Sequence, residues 1–154
     1  MKTPKATLAD IKQFLEARKI AIAGVSRNPQ KFGYQVFNEL KERGYELYPV
    51  NPNADKIDDL QVYSQLSELP EEVKHLLILT SRKWTEKLVM EAIAKGIDHI
   101  WIQQMSDTPE AVKIAREAGV RLVTGQCIFM WAEPVKIIHK FHKTMKKIFG
   151  LLPK

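Results

Sequence analysis

The densest group of residues able to do chemistry lies early in the chain. An apolar run, Ile20-Ala21-Ile22-Ala23, gives way to Gly24-Val25-Ser26-Arg27-Asn28-Pro29-Gln30-Lys31-Phe32-Gly33. A loop that feeds a helix N-terminus presents free backbone N–H groups and the positive end of the helix dipole, and both favour anions. Ser26 adds a hydroxyl donor, and Arg27 and Lys31 add positive charge. Phosphate binding is the chemistry such a loop suits. The plainer alternative is that Ser26 satisfies a turn and both cations are solvated. A dinucleotide loop would read GxGxxG, with an acid near the end of the second strand for the ribose hydroxyls. Only the outer glycines are present here, far apart. The second apolar run ends in Val50-Asn51-Pro52 without a carboxylate. NAD chemistry therefore fails on two counts, and no Walker-type phosphate loop is present for ATP hydrolysis.

Other reactive side chains are isolated. Cys127 lies in Gly125-Gln126-Cys127-Ile128-Phe129-Met130. A thiol near a helix start can be activated, but its apolar neighbours favour a small core residue. His75 and His99 fall at strand starts, away from the edge where ligands bind, so structural roles are expected. His139 and His142 are spaced to share a metal but lack a third ligand nearby. Trp84, Trp101 and Trp131 could form a stacking surface, but they are scattered, and buried packing is the expected fate of each.

Composition narrows the class. The 154 residues, 45% of them hydrophobic, suffice for a single domain with a real core, spanning residues 1–154. One cysteine excludes a disulfide framework. No apolar run approaches the roughly 18 residues of a membrane span. The opening Met1-Lys2-Thr3-Pro4-Lys5 is not followed by the apolar stretch of a secretory signal, so a cytoplasmic location is expected. The formal charge of +6 is unevenly placed. Up to Glu133 the chain balances 18 basic against 18 acidic side chains, and the six remaining lysines stand after it. A neutral body argues against a nucleic-acid-binding fold. Lys136, Lys140, Lys143 and Lys147 share one face of an expected last helix, opposite Ile138, Phe141, Met145 and Ile148. That helix is expected to dock on the body; contact with an anionic surface or a protein partner is the alternative.

The elements that must position these residues alternate. A helix is expected from Leu8 to Arg18, opened by Thr7 and Asp10 as a shortened capping box. Strands follow at 20–25, 46–50, 75–79, 99–102 and 120–124. Helices come between them, ended by Gly44, Gly96 and Gly119, and Thr108-Pro109-Glu110 is a helix start. Pro49 is awkward inside a central strand because it has no N–H to give. The pattern predicts an α/β fold: a Rossmann-like open parallel five-stranded sheet with helices on both faces. The expected strand order is 3-2-1-4-5, with the switch point between the first and fourth strands and the ligand outside their carboxyl ends.

Four short strings in this order carry a family resemblance: Ala21–Pro29, Tyr45–Pro52, Val62-Tyr63 and Ile100-Trp101-Ile102-Gln103. Together they resemble the small stand-alone CoA-binding domain family, which is similar to the CoA-binding domain of the succinyl-CoA synthetase alpha subunit. The resemblance spans roughly residues 15–130 and implies a Rossmann-like fold that binds coenzyme A or acyl-CoA. It implies that Gly24, Val25 and Ser26, with Arg27 and Lys31, hold the pyrophosphate. Asn51 and Pro52 would face the adenosine, and Lys56 the 3′-phosphate. Thr80, Ser81, Arg82, Gln103 and Gln104 would line the adenine or pantetheine path. Arg82 has the alternative of a solvated first-turn residue, and the two glutamines that of ending a strand. No ligase or grasp domain and no phosphorylatable-histidine segment is recognisable, so the expected role is a non-catalytic or regulatory module. Two alternatives stand beside it: an enzyme acting on CoA thioesters, or forming a mixed disulfide through Cys127, and an interaction domain that uses the basic C-terminal helix. The sequence names no protein partner.

Overall fold

The structure is a computed structural model and describes residues 6–132. Helix α1 runs Leu8–Glu16, two residues shorter than expected, and begins with the capping box. The Thr7 Oγ1 accepts from the Asp10 N–H at 3.1 Å, and the Asp10 carboxylate accepts from the Thr7 N–H at 3.1 Å. The chain continues through strand β1 (Lys19–Ala23), helix α2 (Phe32–Glu42) and strand β2 (Glu46–Val50). The expected long polar crossover contains a small antiparallel hairpin, β3 (Lys56–Ile57) and β4 (Leu60–Gln61), then a 3-10 turn at Leu66–Glu68. Strand β5 (His75–Ile78), helix α3 (Arg82–Lys95), strand β6 (His99–Gln103), helix α4 (Pro109–Glu117) and strand β7 (Arg121–Gln126) follow. Thr108 caps α4, its hydroxyl accepting from the Ala111 N–H at 3.0 Å, with Pro109 at the first helical position. A second 3-10 turn, Ile128–Met130, closes the described chain. The expected last helix, its lysine face, His139 and His142 lie outside the described residues.

Five strands form one parallel sheet in the order β2-β1-β5-β6-β7. The architecture is the expected Rossmann-like α/β sheet, but the order 3-2-1-4-5 is corrected. Counting the five main strands alone, it is 2-1-3-4-5, and the switch point falls between the first and third. The reason lies at β2. Its outer backbone is already used: the Tyr63 N–H bonds the Pro49 carbonyl and the Asn51 N–H bonds the Tyr63 carbonyl, both at 2.9 Å. A strand added there would have to displace these bonds, and β5 instead crosses back and pairs with β1. Pro49 fits this edge, because the N–H it lacks is not needed by a further strand.

The strands bury both faces by alternation. Ala21, Ala23, Val50, Leu76, Ile78, Ile100 and Ile102 pack with Val89 and Ala92 of α3 and Ala111 and Ala115 of α4. Ile20, Ile22, Leu47, Leu77, Trp101 and Val123 pack with Ile11 and Phe14 of α1 and Val36, Phe37 and Leu40 of α2. This sandwich holds the carboxyl ends of β1, β2 and β5 together at one edge.

Candidate functional site

Two glycines set the geometry of that edge. Gly24 leaves β1 at φ 101°, in the left-handed region that side chains avoid. A Cβ there would stand 2.8 Å from the Leu79 carbonyl carbon and 2.9 Å from the Thr80 nitrogen. Gly33, in the first turn of α2, faces the Gly24 carbonyl so closely that a Cβ would overlap it. The glycine pair therefore lets the start of α2 press against the end of β1. Between them the loop is organised by short-range bonds. Ser26 Oγ accepts from the Asn28 N–H at 3.0 Å, Asn28 Oδ1 from the Gln30 N–H at 2.9 Å, and the Asn28 carbonyl from the Lys31 N–H at 3.0 Å.

The exit of β2 is tied to this loop. Asn51 Nδ2 donates to the Val25 carbonyl at 2.9 Å, and its Oδ1 accepts from the Asn53 N–H at 2.8 Å. Asn51 thus stands where a dinucleotide site would carry its ribose-binding acid, and both ends of its amide are used within the protein.

Over these loops lies a cleft of about 780 Å³. It brings together Gly24, Val25, Ser26, Arg27, Asn51, Pro52 and Thr80 from the sequence-derived set. The Thr80 hydroxyl is buried there without a protein hydrogen-bond partner. The other residues of that set do not line it. Lys31 occupies the N-cap position of α2 and is exposed. Lys56 belongs to the β3–β4 hairpin, which is held to α2 by the Tyr34 hydroxyl on Asp58 at 3.1 Å and by Lys41 on Asp59 at 2.7 Å. Ser81 is the N-cap of α3, and Arg82 Nε donates to the Met105 carbonyl at 3.2 Å. Gln103 is buried, its Oε1 accepting from the Ile128 N–H at 3.0 Å, and the exposed Gln104 donates its backbone N–H to the Gln126 carbonyl at 3.1 Å.

A second wall of the cleft escaped the sequence reading. Trp84, Lys87, Leu88 and Glu91 line it from α3, and Ser64 and Gln65 from the stretch before the first 3-10 turn. Trp84 is 48% exposed, against the burial expected for it, whereas Trp101 is fully buried and donates Nε1–H to the Gln126 carbonyl at 3.2 Å. The helical spacing of 84, 87, 88 and 91 was the available signal. It did not reveal that this stripe faces the loops of β1 and β2. The cleft as a whole offers hydroxyl and amide donors, two cations, an indole and one carboxylate, a set suited to an anionic ligand with a flat ring.

The remaining reactive groups lie elsewhere. Cys127 is 8% exposed at the end of β7 and does not line the cleft. His75 and His99 sit at the amino ends of their strands, as expected, with ring centroids 5.4 Å apart and Phe14 edge-on to both. Burial lowers the pKa of each; for His99 it reaches about 4. Among the described residues no cluster of three metal-ligating side chains occurs.

Comparison with known families shows the class of the domain. The model of the CoA binding domain matches residues 18–132. The chain belongs to the CoA-binding domain family. The family match opens just before β1 and closes with the second 3-10 turn, so α1 lies outside it. Among curated relatives, the alpha subunit of an ADP-forming acetate–CoA ligase II from Pyrococcus furiosus is 30% identical over 126 residues, covering 75% of this chain. This chain spans only 28% of that subunit's length. The uncharacterized protein YneT of Bacillus subtilis is 26% identical over 121 residues, 78% of this chain and 90% of its own. A solved structure of a hypothetical protein from Pyrococcus horikoshii OT3 superposes with a TM-score of 0.75 at 31% identity, covering 83% of this chain and 94% of that one. No helix among the described residues is long and apolar enough to cross a membrane.

Proposed function

We propose that this member of the CoA-binding domain family binds coenzyme A or an acyl-CoA in the cleft, as a binding module rather than a catalyst. The pyrophosphate sits on the Gly24–Asn28 loop, with Arg27 as its cation and the backbone at the start of α2 contributing its dipole. The adenosine lies beside Asn51 and Pro52. The pantetheine arm leaves past Thr80, whose unpartnered hydroxyl has a donor to offer. At about 780 Å³ the cleft falls within the usual range for cofactor sites.

The observation that carries the reading against other nucleotides is Asn51. Its amide is consumed by Val25 and Asn53, so the β2 exit offers no carboxylate to a ribose diol, the contact on which NAD recognition depends. Calorimetric titration with CoA, dephospho-CoA, NAD and ATP tests it. CoA binding with clearly weaker NAD binding is expected. No heat with millimolar CoA, or a preference for NAD, overturns it.

A further inference from the structure

The α3 wall has a role that the loops of β1 and β2 do not explain. Trp84 exposes half its surface on a cleft wall, beside the apolar Leu88. Two ammonium groups attend its ring, Lys83 Nζ at 5.3 Å and Lys87 Nζ at 5.9 Å from the centroid. Lys87, which is exposed, also pairs loosely with the half-buried Glu91 at 3.8 Å. A large indole facing a nucleotide-sized cleft is a stacking platform, and the cations beside it suit a phosphate attached to the stacked nucleoside.

We infer that Trp84 stacks on the adenine and Lys87 engages the 3′-phosphate, so that α3 selects CoA over nucleotides lacking that phosphate. The inference rests on the coenzyme A reading above and assigns its specificity. Base stacking on an aromatic side chain is worth more than an exposed cation–π contact. An incoming base therefore displaces either lysine from the ring and frees its ammonium for the phosphate. Lys56, the other candidate for that phosphate, is carried by the hairpin that packs on α2 and does not line the cleft. Glu91 opposes the arrangement, because its carboxylate competes with the phosphate for Lys87.

The test is calorimetry at low ionic strength with CoA, dephospho-CoA and adenosine 3′,5′-bisphosphate, on the wild type, Trp84→Leu, Lys87→Ala and Glu91→Gln. All three positions are surface sites outside the core clusters, and unchanged melting temperatures verify folding. Trp84→Leu is expected to weaken CoA, dephospho-CoA and the bisphosphate by roughly five- to a hundredfold. Lys87→Ala is expected to weaken CoA about two- to fivefold and leave dephospho-CoA unchanged. Glu91→Gln tightens CoA relative to dephospho-CoA. Wild-type affinity for the bisphosphate in Trp84→Leu overturns the stacking, and equal losses for CoA and dephospho-CoA in Lys87→Ala overturn the phosphate contact. A wild type that binds no CoA overturns this inference together with the coenzyme reading. A wild type that binds CoA while all three variants match it overturns this inference alone.

Discussion

The side-chain amide of Asn51 donates to the carbonyl of Val25 at 2.9 Å and so fastens the exit of β2 to the loop that leaves β1. Two loops distant in sequence become one floor of the cleft through this bond. The same amide accepts from the Asn53 N–H, so one residue shapes both turns.

Asn51→Ala removes both bonds and leaves the Val25 carbonyl without its Asn51 donor. A loss of about 1–2 kcal/mol in unfolding free energy by urea titration is expected. CoA affinity should fall as well, because the floor is no longer pre-organised. Unchanged affinity in a folded Asn51→Ala protein would show that the floor is not part of the binding site.

Gly33→Ala tests the close approach of α2 to β1. Alanine in a helix is ordinarily favoured over glycine by roughly 0.5–1 kcal/mol. Here the added methyl overlaps the Gly24 carbonyl, which is backbone and has little room to yield. Overpacking costs about 1–3 kcal/mol, so the net change should be destabilising. Denaturant unfolding measures it, and a more stable Gly33→Ala protein would contradict the packing described.

Arg27 and Lys56 separate the cleft from its surroundings. Arg27 lines the cleft and is exposed, whereas Lys56 lies on the β3–β4 hairpin. Arg27→Ala should weaken CoA by about two- to fivefold and flatten the salt dependence of binding. Lys56→Ala should change neither. Calorimetry between low and physiological salt distinguishes the two, and the reverse pattern would move the phosphate site to the hairpin.

His99 gives the fold an acid-sensitive point. Burial pushes its imidazole from the ordinary 6.5 down to about 4; His75 and Arg121 add to the shift, and Asp10 and Asp98 oppose it. Neither ring nitrogen has a hydrogen-bond partner in the protein. His75 is shifted down mainly by burial, with Arg121 adding to the shift and Asp98 opposing it. The unfolded chain therefore binds protons before the folded one does. For His99 this stabilisation is complete above pH 6.5 and is lost as the pH falls toward about 4, at up to ~1.4 kcal/mol per pH unit, and the lowered His75 adds in the same direction. Urea unfolding at a series of pH values from 7 to 5, above the main carboxylate range, should show the decline. His99→Leu should remove most of it, and a slope equal to that of the wild type would refute the assignment.

What local sequence determines here is the succession of elements and the chemistry of one loop. Alternating apolar runs, the Thr7–Asp10 box, the Thr108-Pro109 start and the Gly24 turn depend on neighbours a few residues away, and all are legible in the chain. The tertiary structure decided what depends on distant partners. Strand order depends on which strand pairs with β1 and on Tyr63 bonding the outer backbone of β2, long-range pairings that local periodicity does not encode, although Pro49 was already awkward inside a central strand. Lys56 was drawn away from the cleft because its hairpin found Tyr34 and Lys41 on α2. Trp84 and Lys87 became cleft residues because β5 crossed back beside β1 and carried α3 with it. The chain carried the phosphate loop in its own order of residues; the wall facing that loop exists only once the strands have paired.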